Sequence, residues 1–176
     1  MNGCDYRGVM RSVVMAILVT LVSFNLSLAQ TREQQRESLR GLQGVEVVVE
    51  EIKPDAQEDG VSQEYIRTDV ERILRSKGIR VLTHAERSAL SSEPYLHISV
   101  GTDKQASGHY SFTVRVEVYQ AVSLAHRSQH SMPAPTWFTP VKLRTVGQQN
   151  VRLWISNSIE PLVREFASDF LAVNPR

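Results

Sequence analysis

His126 and His130 are the residues whose types and spacing could hold a metal ion. Four residues apart, they would lie on one side of a helix, an arrangement in which histidine pairs bind zinc. The segment that follows, residues 131–135, contains two prolines, and neither a carboxylate nor a third histidine is close in sequence. We therefore expect a solvated loop and predict no metal site and no cofactor. A secreted metal-binding protein or enzyme with a site near His126 and His130 is the alternative function.

No catalytic motif can be recognised elsewhere in the sequence. Serine, histidine and aspartate all occur, but no Gly-x-Ser-x-Gly elbow marks a strained, exposed nucleophile. No glycine-rich loop follows a strand in the way that a phosphate-binding loop requires. Cys4 is the single cysteine and would leave with the signal peptide described below. We therefore predict a non-enzymatic protein with no catalytic residues.

Aromatic and basic residues on two predicted strands are candidates for contact with a partner protein: Arg115, Tyr119, Phe138 and Arg144. Trp137 and Phe138 are adjacent on one strand, so their side chains point to opposite faces. If Trp137 is buried together with Val141 and Leu143, Phe138 faces solvent near Tyr119. Exposed aromatic residues on an edge strand are typical of protein contact sites. The alternative is that the leader or a loop covers Phe138.

Strands are predicted where apolar residues alternate with polar ones, at residues 45–52, 79–82, 95–101, 110–124 and 136–146. The run 110–124 is longer than an ordinary strand. It predicts either a bulge near Gln120 and Ala121 or a projecting arm paired with residues 136–146 and tipped by the loop 126–135. Pro140 cannot donate to a strand ladder, which marks its strand as an edge strand.

Two long helices are predicted at residues 63–77 and 151–173. Ser62 is placed as the N-cap of the first helix, and apolar residues recur at helical spacing in both. Pro161 should kink or split the second helix, where Trp154, Phe166 and Phe170 are predicted to be buried.

The predicted fold is therefore a single-domain α+β sandwich in the order β-α-β-β-β-β-α. It has a predominantly antiparallel sheet of four to five strands, with both long helices on one face. The other face, which we call the open face, is predicted to stay in solvent and to carry His97, Ser99, Arg115, Glu117, Lys142 and Arg144.

Residues 1–29 have the three parts of a secretory signal peptide. Arg7 and Arg11 precede an apolar run, residues 13–22, that is shorter than the about 20 residues a transmembrane helix needs. Small residues then precede a predicted cleavage site between Ala29 and Gln30. We predict a periplasmic or secreted protein with no membrane anchor after cleavage; a retained signal is the alternative. Residues 30–44 are expected to be a flexible polar leader, and residues 45–175 the domain.

Charge argues against nucleic acid as a partner. The chain has 20 basic and 19 acidic residues, and loss of Arg7, Arg11 and Asp5 with the signal leaves 18 of each. A neutral chain without a run of lysine or arginine has no electrostatic footprint for nucleic acid or for an anionic membrane. We expect the partner to be an unidentified protein of the bacterial envelope.

Three segments resemble the amino-terminal domain of TolB and the related LpoB and CsgG envelope proteins: Lys77-Gly-Ile-Arg-Val-Leu82, Pro94-Tyr-Leu-His-Ile-Ser-Val-Gly101 and Gly108-His-Tyr-Ser-Phe-Thr-Val-Arg-Val-Glu-Val118. Residues 166–175 also resemble the ending of uncharacterised exported bacterial proteins. The resemblance implies a soluble, non-enzymatic adaptor of the periplasm that engages a partner through the open face or an edge strand. The sequence has no propeller repeat, lipid-anchoring cysteine or pore-forming segment, so the partners of those relatives are not implied.

Overall fold

The computed structural model describes residues 32–175, except for the side chains of Arg127 and Ser128. The predicted signal peptide and its cleavage site at Ala29 and Gln30 lie outside the described residues. The described elements follow in this order: α1 (32–37), β1 (Glu46–Val49), α2 (Pro54–Glu58), α3 (Gln63–Ser76), α4 (His84–Ser88), β2 (Tyr95–Lys104), β3 (His109–Leu124), β4 (Arg127–Phe138), β5 (Lys142–Gly147), a 3-10 turn (Gln148–Asn150) and α5 (Val151–Val173).

The strands form one sheet in the spatial order β1, β2, β3, β4, and β5 is also paired to β3. β1 and β2 run parallel, whereas the pairings of β3 with β2, β4 and β5 are antiparallel. β4 lies opposite residues 117–124 of β3 and β5 lies opposite residues 109–114, so these two strands share one edge of β3. The predicted α+β class with a predominantly antiparallel sheet is confirmed.

α3 and α5 pack on one face of the sheet, whose alternate side chains are buried against them. Ser62 is the N-cap of α3, as predicted, and its Oγ accepts a hydrogen bond from the N–H of Tyr65 at 3.3 Å. The two helices and the sheet share one hydrophobic core, which includes Val47, Ile66, Val70, Leu74, Ile98, Phe112, Val116, Ile155, Leu162 and Phe166.

α5 is one helix from Val151 to Val173 and contains Pro161 in its interior, so the helix is not split there. Phe166 and Phe170 are buried, as predicted. Trp154 is 39% exposed, and the prediction that it is buried is wrong. Trp154 turns toward β5, where the guanidinium of Arg144 lies 5.3 Å from its ring.

A two-stranded arm extends beyond the sheet. β2 begins opposite Tyr119, so residues 120–124 of β3 continue past it and pair with β4. The residues 126–135, predicted as a loop, are therefore mostly strand, and the turn of the arm is at residues 125–126. The register of this pairing shifts between Val118 and Tyr119, one residue from the predicted bulge at Gln120 and Ala121. A register shift close to the predicted bulge and a projecting arm are thus both present, but the second strand of the arm is residues 127–134 and not the predicted 136–146.

Residues 79–82, predicted as a strand, contribute a single parallel bridge between Val81 and Val45. The backbone bonds that flank it run from the N–H of Val45 to the C=O of Arg80 and from the N–H of Leu82 to the C=O of Val45. The segment is too short to form a ladder because the chain turns at Thr83 into α4.

The predicted strand 136–146 is divided at Thr139 into β4 and β5. Thr139 is buried, and its N–H donates to the C=O of Val116 at 2.9 Å. Its Oγ1 accepts from the N–H of Val116 at 3.1 Å, so a side chain takes the place of a backbone carbonyl in the ladder. Pro140, which has no N–H, follows at once. The strand pairing therefore stops here and resumes at Lys142.

The break exchanges the two faces of the edge strand. In β5, Lys142 and Arg144 pair with Val114 and Phe112, which are buried on the helix side of the sheet. Paired residues of antiparallel strands point to the same face. Lys142 and Arg144 therefore lie on the helix side, and the prediction that they lie on the open face is wrong. The alternation predicted across this segment fails because, relative to β3, the segment around Thr139 contains one extra residue.

Residues 32–44, predicted as part of a flexible leader, pack against β4 and α5. Leu39 is fully buried in the core. Ser38 Oγ donates to the C=O of Thr136 at 3.1 Å, and Arg32 Nη1 donates to the C=O of Phe138 at 3.4 Å. These contacts cover the outer edge of β4 at its carboxyl end. The segment predicted to be loose is thus packed onto the domain.

A buried carboxylate attaches this leader to the domain. Asp169 of α5 accepts a hydrogen bond from Trp137 Nε1 at 2.9 Å. It also forms ion pairs with Arg32 Nη2 at 2.8 Å and with Arg36 Nε at 3.0 Å. A carboxylate with so little access to water must be paired, because an isolated buried charge is costly. Through Asp169, the arginines of α1 are therefore connected to Trp137 in the core.

A second polar cluster, in which only Tyr110 is fully buried, lies at the other end of the sheet. Asp59 accepts hydrogen bonds from Tyr110 Oη at 2.5 Å, from Lys104 Nζ at 2.7 Å and from Gln148 Nε2 at 2.7 Å. These donors, with Lys104 the largest contributor, lower the pKa of Asp59 to about 2. Burial and the neighbouring Asp59 raise the pKa of Tyr110 to about 12. The cluster joins the end of α2 to β2, β3 and the 3-10 turn.

Asp59 predicts an acid-dependent part of the stability. A carboxylate whose pKa is lowered on folding stabilises the folded state above its unfolded pKa, and this contribution is lost as the pH falls toward the folded value. The urea midpoint of Asp59→Asn should lie below that of the wild type at neutral pH. The difference should shrink between about pH 4 and about pH 2. A difference that stays constant over this window in urea titrations would contradict the assignment.

Candidate functional site

The open face of the sheet carries polar and aromatic side chains that alternate with the buried ones. Tyr95 and His97 of β2 lie opposite Tyr119 and Glu117 of β3, because β2 and β3 pair in register. Arg115 is two residues from Glu117 and lies on the same face, as predicted. This places two of the predicted partner-binding residues, Arg115 and Tyr119, on one surface.

An aromatic stack crosses this face. The rings of Tyr95 and Tyr119 are stacked, with centroids 5.1 Å apart and planes 8° from parallel. The guanidinium of Arg87, on α4, lies 5.0 Å from the ring of Tyr95. His97 meets Tyr119 edge to face, at 5.7 Å. Stacked rings and a stacked guanidinium make a rigid surface whose side chains have little conformational entropy left to lose on binding.

A groove of about 640 Å³ lies beside the stack, between α4 and the arm. Its lining includes Glu46, His84, Arg87, Tyr95, His97, Met132 and Pro133. Glu46 pairs with Arg87 Nε at 2.9 Å and lies 3.4 Å from His84 Nδ1. Thr83 and Glu86 form the capping box that begins α4, the helix that carries His84 and Arg87.

The edge patch is a row of exposed apolar side chains at the break between β4 and β5, formed by Phe138, Val141 and Leu143. Their exposed fractions are 36%, 55% and 70%. Leu143 pairs with Thr113 and so lies on the open face. The prediction that Val141 and Leu143 are buried with Trp137 is wrong, because the break at Thr139 turns this segment over.

Arg115 packs against Phe138 of the edge patch. Its guanidinium lies 5.5 Å from the ring of Phe138, and its Nη2 is 3.1 Å from Glu117 Oε1. A cavity of about 540 Å³ opens at this point and is lined by Arg32, Gln35, Arg115, Phe138, Thr139, Pro140 and Val141. The leader contacts the backbone of Phe138 through Arg32 and Gln35, but the ring remains exposed.

The four predicted partner-binding residues therefore fall into two groups. Arg115, Tyr119 and Phe138 lie on the open face, with Phe138 outward and Trp137 buried as predicted. Arg144 lies apart from them, on the helix side of β5, where its guanidinium covers the ring of Trp154.

Sequence reasoning did not find the groove beside α4. Tyr95 and His97 were recognisable as open-face residues from the alternation of β2. Their meeting with Arg87 and Glu46 depends on the parallel pairing of β1 with β2 and on where α4 lies. The stack of Tyr95 on Tyr119 depends on the register of β2 and β3, which an alternating pattern does not specify.

His126 and His130 are not brought together by helical spacing. His126 is in the turn of the arm and His130 is within β4, and both are exposed. In a strand, four residues span about 13 Å. Among the described residues, no group of three or more histidine, cysteine, aspartate or glutamate side chains is arranged to hold a metal ion.

The described part of the chain contains no helix that is both long and apolar enough to cross a membrane. Comparison with known proteins adds no relative: no family model matches the chain, and no curated protein matches it. The site must therefore be interpreted from its geometry.

The neighbours of Tyr95 in the stack predict how the pKa of Tyr95 responds to the loss of Arg87. Burial raises the pKa of Tyr95 most, the neighbouring Tyr119 raises it further, and the positive charge of Arg87 opposes both. Replacing Arg87 by glutamine should therefore raise the pKa of Tyr95, while Arg164→Gln, on the exposed side of α5, should leave it unchanged. Spectrophotometric titration of the tyrosines measures this. An unchanged or lower pKa of Tyr95 in Arg87→Gln would show that the guanidinium does not lie on the ring.

Proposed function

We propose that this chain is a non-enzymatic interaction module of the bacterial envelope, and that it binds a protein partner at the edge patch on the open face. The export signal predicted at residues 1–29 and the resemblance to TolB-type envelope domains motivate the compartment. The observation that carries the proposal is the edge patch itself, in which Phe138, Val141 and Leu143 expose apolar side chains in a row above Arg115.

The composition of this surface supports contact with a protein. Binding energy at protein interfaces is concentrated in aromatic and arginine side chains that are held rigidly and surrounded by apolar contacts. Phe138 is held by the stacked guanidinium of Arg115, whose charge is balanced by the nearly buried Glu117. The cavity beside Phe138, lined largely by apolar groups of Pro140 and Val141, can receive one side chain of a partner.

The outer edge of β4 is a poorer contact site than the open face. Pro133 and Pro135 pair with Ala121 and Tyr119. The N–H of Ala121 donates to the C=O of Ser92, on the side away from β4, so the backbone groups of this register face outward on β4. The prolines therefore remove donors from the outer edge. Farther along, the leader covers it at Thr136 and Phe138.

Photo-crosslinking in cells tests the proposal. A photoreactive residue at Phe138 or at Tyr119 should capture an envelope protein, whereas the same probe at Arg164, an exposed residue of α5, should not. The adduct formed from Phe138 should be lost on Leu143→Glu, because a charge in the apolar row has to be desolvated on binding.

The outcome that contradicts the proposal is specific. Either no envelope protein is captured from Phe138 and Tyr119, or the same protein is captured equally from Arg164 and Leu143→Glu leaves the adducts intact. Circular dichroism of Leu143→Glu distinguishes loss of binding from loss of fold, because Leu143 is 70% exposed and its replacement should not unfold the domain.

A further inference from the structure

β5 has an outer edge whose backbone groups are free. The N–H and C=O of Val116 point toward Thr139. The backbone N–H and C=O groups of the even-numbered residues of β3 therefore point toward the edge along which β4 and β5 pair. In β5 the partners of even-numbered residues are Lys142, Arg144 and Val146. The N–H and C=O groups of Leu143 and Thr145 therefore point outward, and no residue in the described range 32–175 bonds to them.

Parts of the other edges of the sheet are occupied or blocked. Residues 80–82 bond to β1 beside its start, and the leader and two prolines occupy or block the outer edge of β4 near the sheet. Exposed strand edges are templates for another strand, and proteins usually cover or interrupt them. β5 is exposed from Lys142 to Thr145, and its last two residues, Val146 and Gly147, are half-buried.

The helix side of β5 carries two basic side chains, Lys142 and Arg144. Within the part of the chain that the structure describes, neither Lys142 nor Arg144 has a carboxylate at ion-pair distance, although most of the described arginines do. Arg144 is held over the ring of Trp154, beside a cavity of about 360 Å³ lined by Arg144, Thr145, Val146, Gly147 and Trp154. The cation is thus positioned in advance for an anionic side chain.

The opposite side of the same strand carries no charge: Leu143 is apolar, and Thr145 is polar, with its Oγ1 3.1 Å from Ser111 Oγ. Leu143 lies on the open face and is the most exposed residue of the edge patch. A strand added to β5 would therefore meet basic groups on one face and, on the other, uncharged groups that include the exposed apolar Leu143. Since successive residues of a strand point to opposite faces, the matching sequence alternates acidic and apolar residues.

We propose that β5 is the docking strand for an extended segment of the partner in which acidic and apolar residues alternate. The inference rests on the proposed function and specifies how its partner binds: by main-chain bonds to Leu143 and Thr145, with acidic side chains toward Lys142 and Arg144. A second copy of this chain does not fit, because antiparallel pairing of two β5 strands would place lysine and arginine opposite like charges.

Fluorescence anisotropy with two synthetic peptides tests the docking mode. The probes are a labelled ten-residue peptide of alternating valine and glutamate and a matched peptide of alternating valine and lysine, titrated with the protein purified after expression of the full chain. The glutamate peptide should bind at least about tenfold more tightly. The double variant Lys142→Glu, Arg144→Glu should reverse this preference, while the control Arg164→Glu should keep it.

Thr145→Pro tests the main-chain bonds separately. It removes an outward N–H that takes no part in the ladder with β3, so the sheet should remain folded. Affinity for the glutamate peptide should fall about fivefold or more, the effect of losing one hydrogen bond. Circular dichroism and the urea midpoint check that Thr145→Pro has folded. Leu143→Pro, the other outward position, serves as the second variant if it has not.

The outcomes separate this inference from the proposed function. Equal affinity for the two peptides, or a preference that the charge reversal does not change, overturns docking on β5. Concentration-dependent self-association that is abolished by Thr145→Pro overturns it in favour of a second copy. If either result is obtained while photo-crosslinks from Phe138 persist, the interaction module stands and only its docking mode is wrong; loss of those crosslinks defeats the module itself.

Discussion

The hydrogen bonds between Thr139 and Val116 determine where β4 ends and which way each following residue points. The hydroxyl of Thr139 occupies a ladder position, and the chain resumes pairing with its faces exchanged. Leu143 is turned into solvent and Arg144 toward α5 as a consequence. A valine at this position would have the same shape but would leave the buried N–H of Val116 without a partner, an omission that costs about 1–3 kcal/mol. The edge patch and the free edge of β5 both follow from this one contact.

Most of the fold could be predicted from the sequence because its signals are local. Alternation identified β2 and β3 and their faces, and helical spacing with an N-cap at Ser62 identified α3. The face of Lys142 and Arg144 could not be predicted, because alternation is broken by a tertiary hydrogen bond that has no local signature. The ordered packing of residues 32–44 could not be predicted either, because their polar composition indicates a loose segment. Its order depends on Asp169, more than a hundred residues away. The export signal remains a prediction from the sequence.

The two outer strands, β4 and β5, have differently protected edges. β4 is protected by prolines and by the leader, which is itself anchored through Asp169 and Trp137. β5 carries lysine and arginine, residues that prevent edge strands from pairing with copies of themselves. A positively charged edge that repels its own copy still accepts an acidic strand. In the proposed docking mode, protection against self-association and selection of a partner have the same physical basis.

Amide hydrogen exchange in β5, followed residue by residue by NMR, tests most directly whether this edge is free. The amides of Arg144 and Val146 are bonded to β3, so they should exchange slowly, whereas those of Leu143 and Thr145 should exchange rapidly in the free protein. The alternation is expected to disappear when an acidic strand is bound, because Leu143 and Thr145 then acquire partners. Equal protection of all four amides in the unbound protein would contradict the account, because it would mean that the outer edge of β5 is already occupied.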